Sequence, residues 1–198
     1  MSDFSSLKRF QPTSSTSHAK KTVNAPIRWT GDGTVVAFDQ ALANTGYVVA
    51  HFRPKVMKVI ASGTLHTTSS GGRTSWTDTL YRARELIRPI RKILAEHEPR
   101  IIVHETPPIG NSRSMRRPDS SILSAMAIWV AAEDTPIRMI DARAAKRYLT
   151  GKAGATKKEV RTALENRLGD VFAEPHLRKN EHVYDALALL VTYTKDSK

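Results

Sequence analysis

Three carboxylates stand where their surroundings are apolar. Asp39 closes the run Val35-Val36-Ala37-Phe38, Glu105 follows Ile101-Ile102-Val103-His104, and Asp185 interrupts the helical-type segment that ends in Ala186-Leu187-Ala188-Leu189-Leu190. A carboxylate in such low-dielectric surroundings costs free energy unless a partner is at hand. His182 precedes Asp185 by three residues, so the two project from one helical face. Each acid alone has an ordinary structural use: Asp39 as a turn cap, Glu105 as the partner of an arginine, Asp185 as a charge favoured at the positive end of its helix. Taken together they repel one another unless a cation joins them, and divalent metal ions are the natural solution. The chain has no cysteine, which excludes disulfides, thiolate zinc sites, iron–sulfur clusters and cysteine nucleophiles. Any metal must therefore be held by carboxylates and imidazoles.

These residues need elements to carry them. Residues 34–38 and 47–52 are β-rich runs separated by an Asn-Thr-Gly turn signal and read as a hairpin; residues 56–65 supply a third strand before SSGGR breaks the pattern. Between residues 76 and 94 apolar side chains recur at helical spacing (Leu80, Ala83, Ile87, Ile90, Leu94), with arginines interleaved and a kink expected at Pro89. Residues 100–105 form a short buried-type strand ending before Pro107-Pro108, which places Glu105 at its C-terminal end. A small-residue helix over 121–132 and a fifth strand over 136–140 follow. A short helix, a Gly-containing turn and a helix opened by Thr156 come next, then a last helix over 181–194 with Ala186, Leu189, Leu190 and Tyr193 on its buried side. The order predicts an α/β fold, a mixed sheet of three antiparallel strands plus two more, covered by helices.

The chain is basic. Of its 198 residues, 31 are Lys or Arg and 19 Asp or Glu, a formal net charge of +12, which attracts polyanions, nucleic acid foremost. Residues 138–168 hold nine Lys plus Arg against three acids, Lys146, Lys152, Lys157 and Lys158 among them, and Arg113, Arg116 and Arg117 cluster after the Glu105 strand. Both groups flank the acids and suit phosphate contacts better than base reading. For Gly151 and Gly154, a plain interhelix turn and close backbone approach to phosphate both stand. Nothing approaches the length of a membrane span or the apolar core of a signal peptide, so the expectation is a soluble intracellular protein without a membrane partner. Residues 1–30 read as a flexible basic extension ahead of one domain over 31–198; their Ser/Thr-rich, basic character also allows an organellar transit peptide.

The segments FDQALANTGY, VHETPP, KRYLTGKAGATKKEV and EHVYDALALL, in this order from about residue 34 to residue 194, resemble the RuvC-type Holliday junction resolvases, which have the RNase H-like fold. The resemblance implies a nuclease that resolves four-way or otherwise branched DNA by paired nicking as a homodimer, and the Ala/Ser-rich helix over 121–132 is the candidate for the contact. The resemblance also implies two ions, Mg2+ or Mn2+, held by Asp39, Glu105 and Asp185, and two lysines, Lys146 and Lys157, the latter at the scissile phosphate. Two departures matter. His182 stands where many members place a fourth acid; imidazole is a poor magnesium ligand and a better manganese ligand, so either manganese is favoured or His182 acts through a neighbour, unless it is a plain surface histidine. Where members often carry an aromatic wedge, this chain has Pro107, Pro108 and Ile109. Two other readings compete. DQALANTG also resembles the first phosphate loop of actin-like ATPases, a fold that needs a duplicated core, and a branched-DNA-binding protein without catalysis would share the fold.

Overall fold

The computed structural model describes residues 32–54, 56–71, 75–107, 118–173, 175–177 and 180–196. The expected extension over 1–30, Ile109 and the Arg113, Arg116, Arg117 cluster lie outside these. Five strands, β1 (Gly33–Asp39), β2 (Asn44–Arg53), β3 (Val56–His66), β4 (Ile101–Glu105) and β5 (Ile137–Ile140), form one sheet in the order β3-β2-β1-β4-β5. The β1–β2 and β2–β3 pairs are antiparallel; β1–β4 and β4–β5 are parallel. Parallel pairs need crossovers. The crossovers here are α1 (Ser75–His97), which leads into β4, and α2 (Pro118–Ala132), which leads into β5.

Strand alternation divides the core in two. On one face Val36, Phe38, Val49 and Ile102 pack under α1 and α2, against Leu86, Ile90 and Ile128. On the other, Val35, Ala37, Val48 and Val103 pack under α3 (Ala142–Thr150), α4 (Lys157–Leu168) and α5 (Glu181–Asp196). A 3-10 turn, Gly169–Ala173, follows α4. The helix α5 is buried almost all round: Val183, Ala186, Leu187, Leu190 and Val191 are fully enclosed, while the expected Tyr193 is only partly covered. Among the described residues no helix is long and apolar enough to cross a membrane.

Two expectations are corrected. The Asn-Thr-Gly signal is not the hairpin turn, because β2 already starts at Asn44 and the chain reverses before it. In α1 the buried stripe is Ala83, Leu86, Ile90, Ile93 and Leu94; Leu80 is exposed beside Trp76 and Tyr81. Apolar residues occupy both 86 and 87 and both 93 and 94, so two phases of the 3.6-residue period fit the same helix and only packing selects one. The helix also runs on past Pro89 to His97.

Candidate functional site

β1 and β4 run parallel in register from Val35 opposite Ile101 to Phe38 opposite His104, so Asp39 and Glu105 emerge at the same end of the sheet. Both continue the alternation of Ala37 and Val103 and therefore face α5. Beyond Asp39 the ladder has no strand to continue it. The side chain of Gln40 does so instead: its Oε1 accepts from the Glu105 N–H at 3.0 Å and its Nε2 donates to the Glu105 carbonyl at 2.5 Å. One amide thereby satisfies both backbone groups of Glu105 that point toward β1.

The third acid arrives from the last helix. Asn180 caps α5, its Oδ1 accepting from the Val183 N–H at 3.0 Å. The first turn of α5 passes directly over Gly46, the residue opposite Asp39 on β2. A Cβ on Gly46 would lie 2.1 Å from the His182 carbonyl oxygen. Glycine is thus the condition for bringing His182 and Asp185 over Asp39, a role that reading Asn-Thr-Gly as a turn conceals.

Lys157 is placed by capping. Gly151 ends α3 in a left-handed conformation (φ 79°), its N–H donating to the Arg147 carbonyl, which favours the turn reading for this glycine. Thr156 then opens α4 with a capping box: its Oγ1 accepts from the Glu159 N–H, and the Glu159 carboxylate accepts from the Thr156 N–H at 2.8 Å. Lys157 is therefore the first helical residue, and its ammonium contacts Glu181 and lies 3.1 Å from Asp185.

Asp39, Glu105, Lys146, Lys157, His182 and Asp185, from five elements, line one cavity of about 360 Å³. Burial first, and then the charges of Asp185 and Glu105, push the Asp39 carboxyl from 3.8 up to about 7, against the opposing pull of Lys157. Glu105 is raised as well, by burial and then by Asp185 and Asp141, with Lys146 opposing. Burial alone would lower Lys157, but Glu181 and Asp185 outweigh it and raise the ammonium. Among the described residues no three carboxylates or imidazoles converge closely enough to chelate one ion, and Lys157 stands against Asp185. The donor chemistry nonetheless fits divalent ions: hard carboxylate oxygens, one imidazole, and a buried carboxyl, raised to about 7, that added positive charge would ionise more fully.

Among the described residues, Lys152 and Lys158 do not join the cavity. Lys152 is exposed and pairs with Glu159 at 3.4 Å, and Lys158 borders a separate hollow with Thr150 and Asn166. Sequence reasoning missed Gln40, Gly46 and His104. His104, fully buried in β4, is the one with a visible signal, a polar residue inside an apolar strand. Its Nδ1 donates to the Glu105 carbonyl at 2.7 Å and its Nε2 accepts from the Trp129 indole N–H at 2.9 Å; burial lowers its pKa.

No curated protein sequence matches the chain. Among solved structures, Thermus thermophilus RuvC superposes with a TM-score of 0.61 at 19% identity, over 80% of this chain and 92% of that one. T. thermophilus RuvC in complex with Holliday junction substrate gives 0.65 at 16%, over 83% and 95%. The yeast mitochondrial Holliday junction resolvase Ydc2 gives 0.53 at 12%, over 87% and 83%. At these identities the likeness establishes the fold. The model of the family described as crossover junction endodeoxyribonuclease RuvC matches residues 35–193. That span takes in every acid and lysine of the cavity, and the chain belongs to the RuvC family of crossover junction endodeoxyribonucleases.

Proposed function

We propose that this chain resolves four-way DNA junctions by hydrolysing phosphodiester bonds in opposed strands, with Asp39, Glu105 and Asp185 as ligands of two divalent ions, Mg2+ or Mn2+. The observation that carries this reading is the convergence of three acids, His182, Lys146 and Lys157 on one cavity at the end of the parallel β1–β4 pair. When bound, such ions activate a water and stabilise the leaving 3′ oxygen. Asp39, whose charge is opposed by both Asp185 and Glu105, would be shared between the ions, and Glu105 and Asp185 would each supply carboxylate oxygens to one of them. His182 reaches the cavity wall one helical turn from Asp185 and serves as the nitrogen donor, which favours manganese. Lys157 moves from the acids to the scissile phosphate, where its point charge offsets the charge that builds up in the transition state. Lys146 sits beside Glu105 and holds a neighbouring phosphate.

Cutting two strands in symmetry calls for two copies, and α2 supplies a surface for them. Ile122, Met126, Trp129 and Val130 form an exposed apolar face on it, the last three more than half exposed. The test is nicking of a synthetic four-way junction against linear duplex of the same sequence, with Mg2+, Mn2+ or chelator. Metal-dependent nicks confined to the junction are expected. Junction binding without nicking would identify a branched-DNA binder instead, and ATP binding without nicking a nucleotide-binding protein.

A further inference from the structure

Asp39 and Glu105 face α5, but the residue between Val103 and Glu105 faces the other way. His104 points with Ile102 toward α1 and α2, and there it meets only Trp129 as a polar partner among the contacts described. Its two ring nitrogens are used in opposite senses. The Glu105 carbonyl can only accept and the Trp129 indole can only donate, so the ring carries its proton on Nδ1 and is neutral. The Trp129 ring stands edge-on to the imidazole, at 81° and 6.4 Å between centroids, so the pair has one orientation. The carbonyl that receives Nδ1–H is the one that Gln40 also holds, while the next N–H, of Thr106, is bound to the Ile140 carbonyl at 2.9 Å. Both hydrogen-bonding groups of the peptide after Glu105 are thereby held: the carbonyl by Gln40, just past β1, and by His104, which is bound in turn by Trp129 of α2, and the N–H by Ile140 of β5.

We propose that His104 is a positioning residue for Glu105, a strut through the sheet that ties the backbone of this acid to Trp129 on α2. The inference rests on the reading of Glu105 as a working acid. A carboxylate's reach is set by its own backbone, and groups that orient ligands in this way typically carry 10- to 100-fold in metal affinity or activity when lost. The strut has a second consequence. Trp129 belongs to the exposed apolar face of α2, so whatever covers that face, a second copy of the chain included, presses on the element that orients Glu105.

The experiment compares His104→Leu, His104→Asn and Trp129→Phe with wild type and with Glu105→Gln. Three readouts are needed: single-turnover cleavage at saturating junction and metal, junction affinity, and Mn2+ affinity by calorimetry. Leucine removes both hydrogen bonds at similar volume; asparagine restores a donor at the position of Nδ1; phenylalanine keeps an aromatic ring at 129 but loses the indole N–H together with the pyrrole part of the ring. His104→Leu is expected to slow cleavage and weaken Mn2+ binding by roughly 10- to 100-fold with junction affinity unchanged. His104→Asn should recover most of both, and Trp129→Phe should lose a few-fold. Wild-type rates and Mn2+ affinity in Trp129→Phe, or an asparagine variant no better than leucine, would overturn the strut, even if leucine prevents folding. Undiminished cleavage by Glu105→Gln would instead overturn the role of Glu105 itself.

Discussion

The two faces of the sheet bury their strands by opposite means. Under α1 and α2, aliphatic and aromatic side chains meet each other, and the buried imidazole of His104 is satisfied at both nitrogens. Under α5 the same strands carry their alternation one step further, to Asp39 and Glu105, and an apolar helix places a third acid beside them. The first face contributes stability through apolar area removed from water. The second gives some of it up, since burial and mutual repulsion hold a carboxyl at about 7 where 3.8 is ordinary. What the difference teaches is that a fold can keep an unfavourable charge cluster if its strain is confined to the end of the sheet and the opposite face is built without compromise.

The most drastic way to test that division is to remove the charges. Asp39→Asn, Glu105→Gln and Asp185→Asn should each reduce junction cleavage by at least ~10²-fold with binding nearly intact, since the lost groups act on the reaction and not on the phosphate backbone. Stability of these amides by thermal melting without metal should equal or exceed wild type. Equal loss of binding in all three would show that the acids serve the fold instead.

Gly46 and Gly63 give a smaller contrast within the sheet. Alanine at Gly46 must displace the backbone of α5, whereas alanine at Gly63 meets only the Tyr47 ring at 2.9 Å, a side chain that can turn. Gly46→Ala should therefore cost roughly 1–3 kcal/mol and also slow cleavage by shifting Asp185, while Gly63→Ala should leave cleavage alone. Similar melting temperatures and rates for the two would mean that the approach of α5 to β2 is not what holds the acids together.

The mildest test is pH. With Asp39 near 7 in the folded chain and at its ordinary 3.8 when unfolded, the folded form binds the extra proton throughout that interval. The stability contribution is full below 3.8 and is lost as pH rises to about 7. In chelator, the melting temperature of wild type should fall relative to Asp39→Asn across this window, and Mn2+ should restore it at the upper end. Parallel curves for the two proteins would exclude an uncompensated charge at Asp39.

The acids were legible in the sequence because a carboxylate at the end of an apolar run conflicts with its neighbours, and that conflict is local. The start of α4 was legible for the same reason, since Thr156 caps through the residue three positions on. Gln40 was not, and for His104 the sequence signals only a polar residue inside an apolar strand, not its partners. Their partners lie 65 and 25 residues away, and no spacing along the chain encodes a side chain that completes a ladder from another strand. The phase of α1 was hidden differently, by a sequence that offers two adjacent apolar stripes between which only the sheet decides.

The position of α5 also sets when the protein can act. β1 to β3 pair between near neighbours in sequence, yet Asp39 waits for β4 to arrive beside it, and the cavity closes only when α5 inserts over Gly46. Contacts of such long sequence separation close large loops and are slow to form. During synthesis the ribosome releases β1 well before α5, so the growing chain already holds most of its basic surface while His182 and Asp185 are still unmade. Asp39 and Glu105 therefore stand without His182 and Asp185 in any chain whose last helix is not yet in place, and the cavity is complete only once the final element has been made.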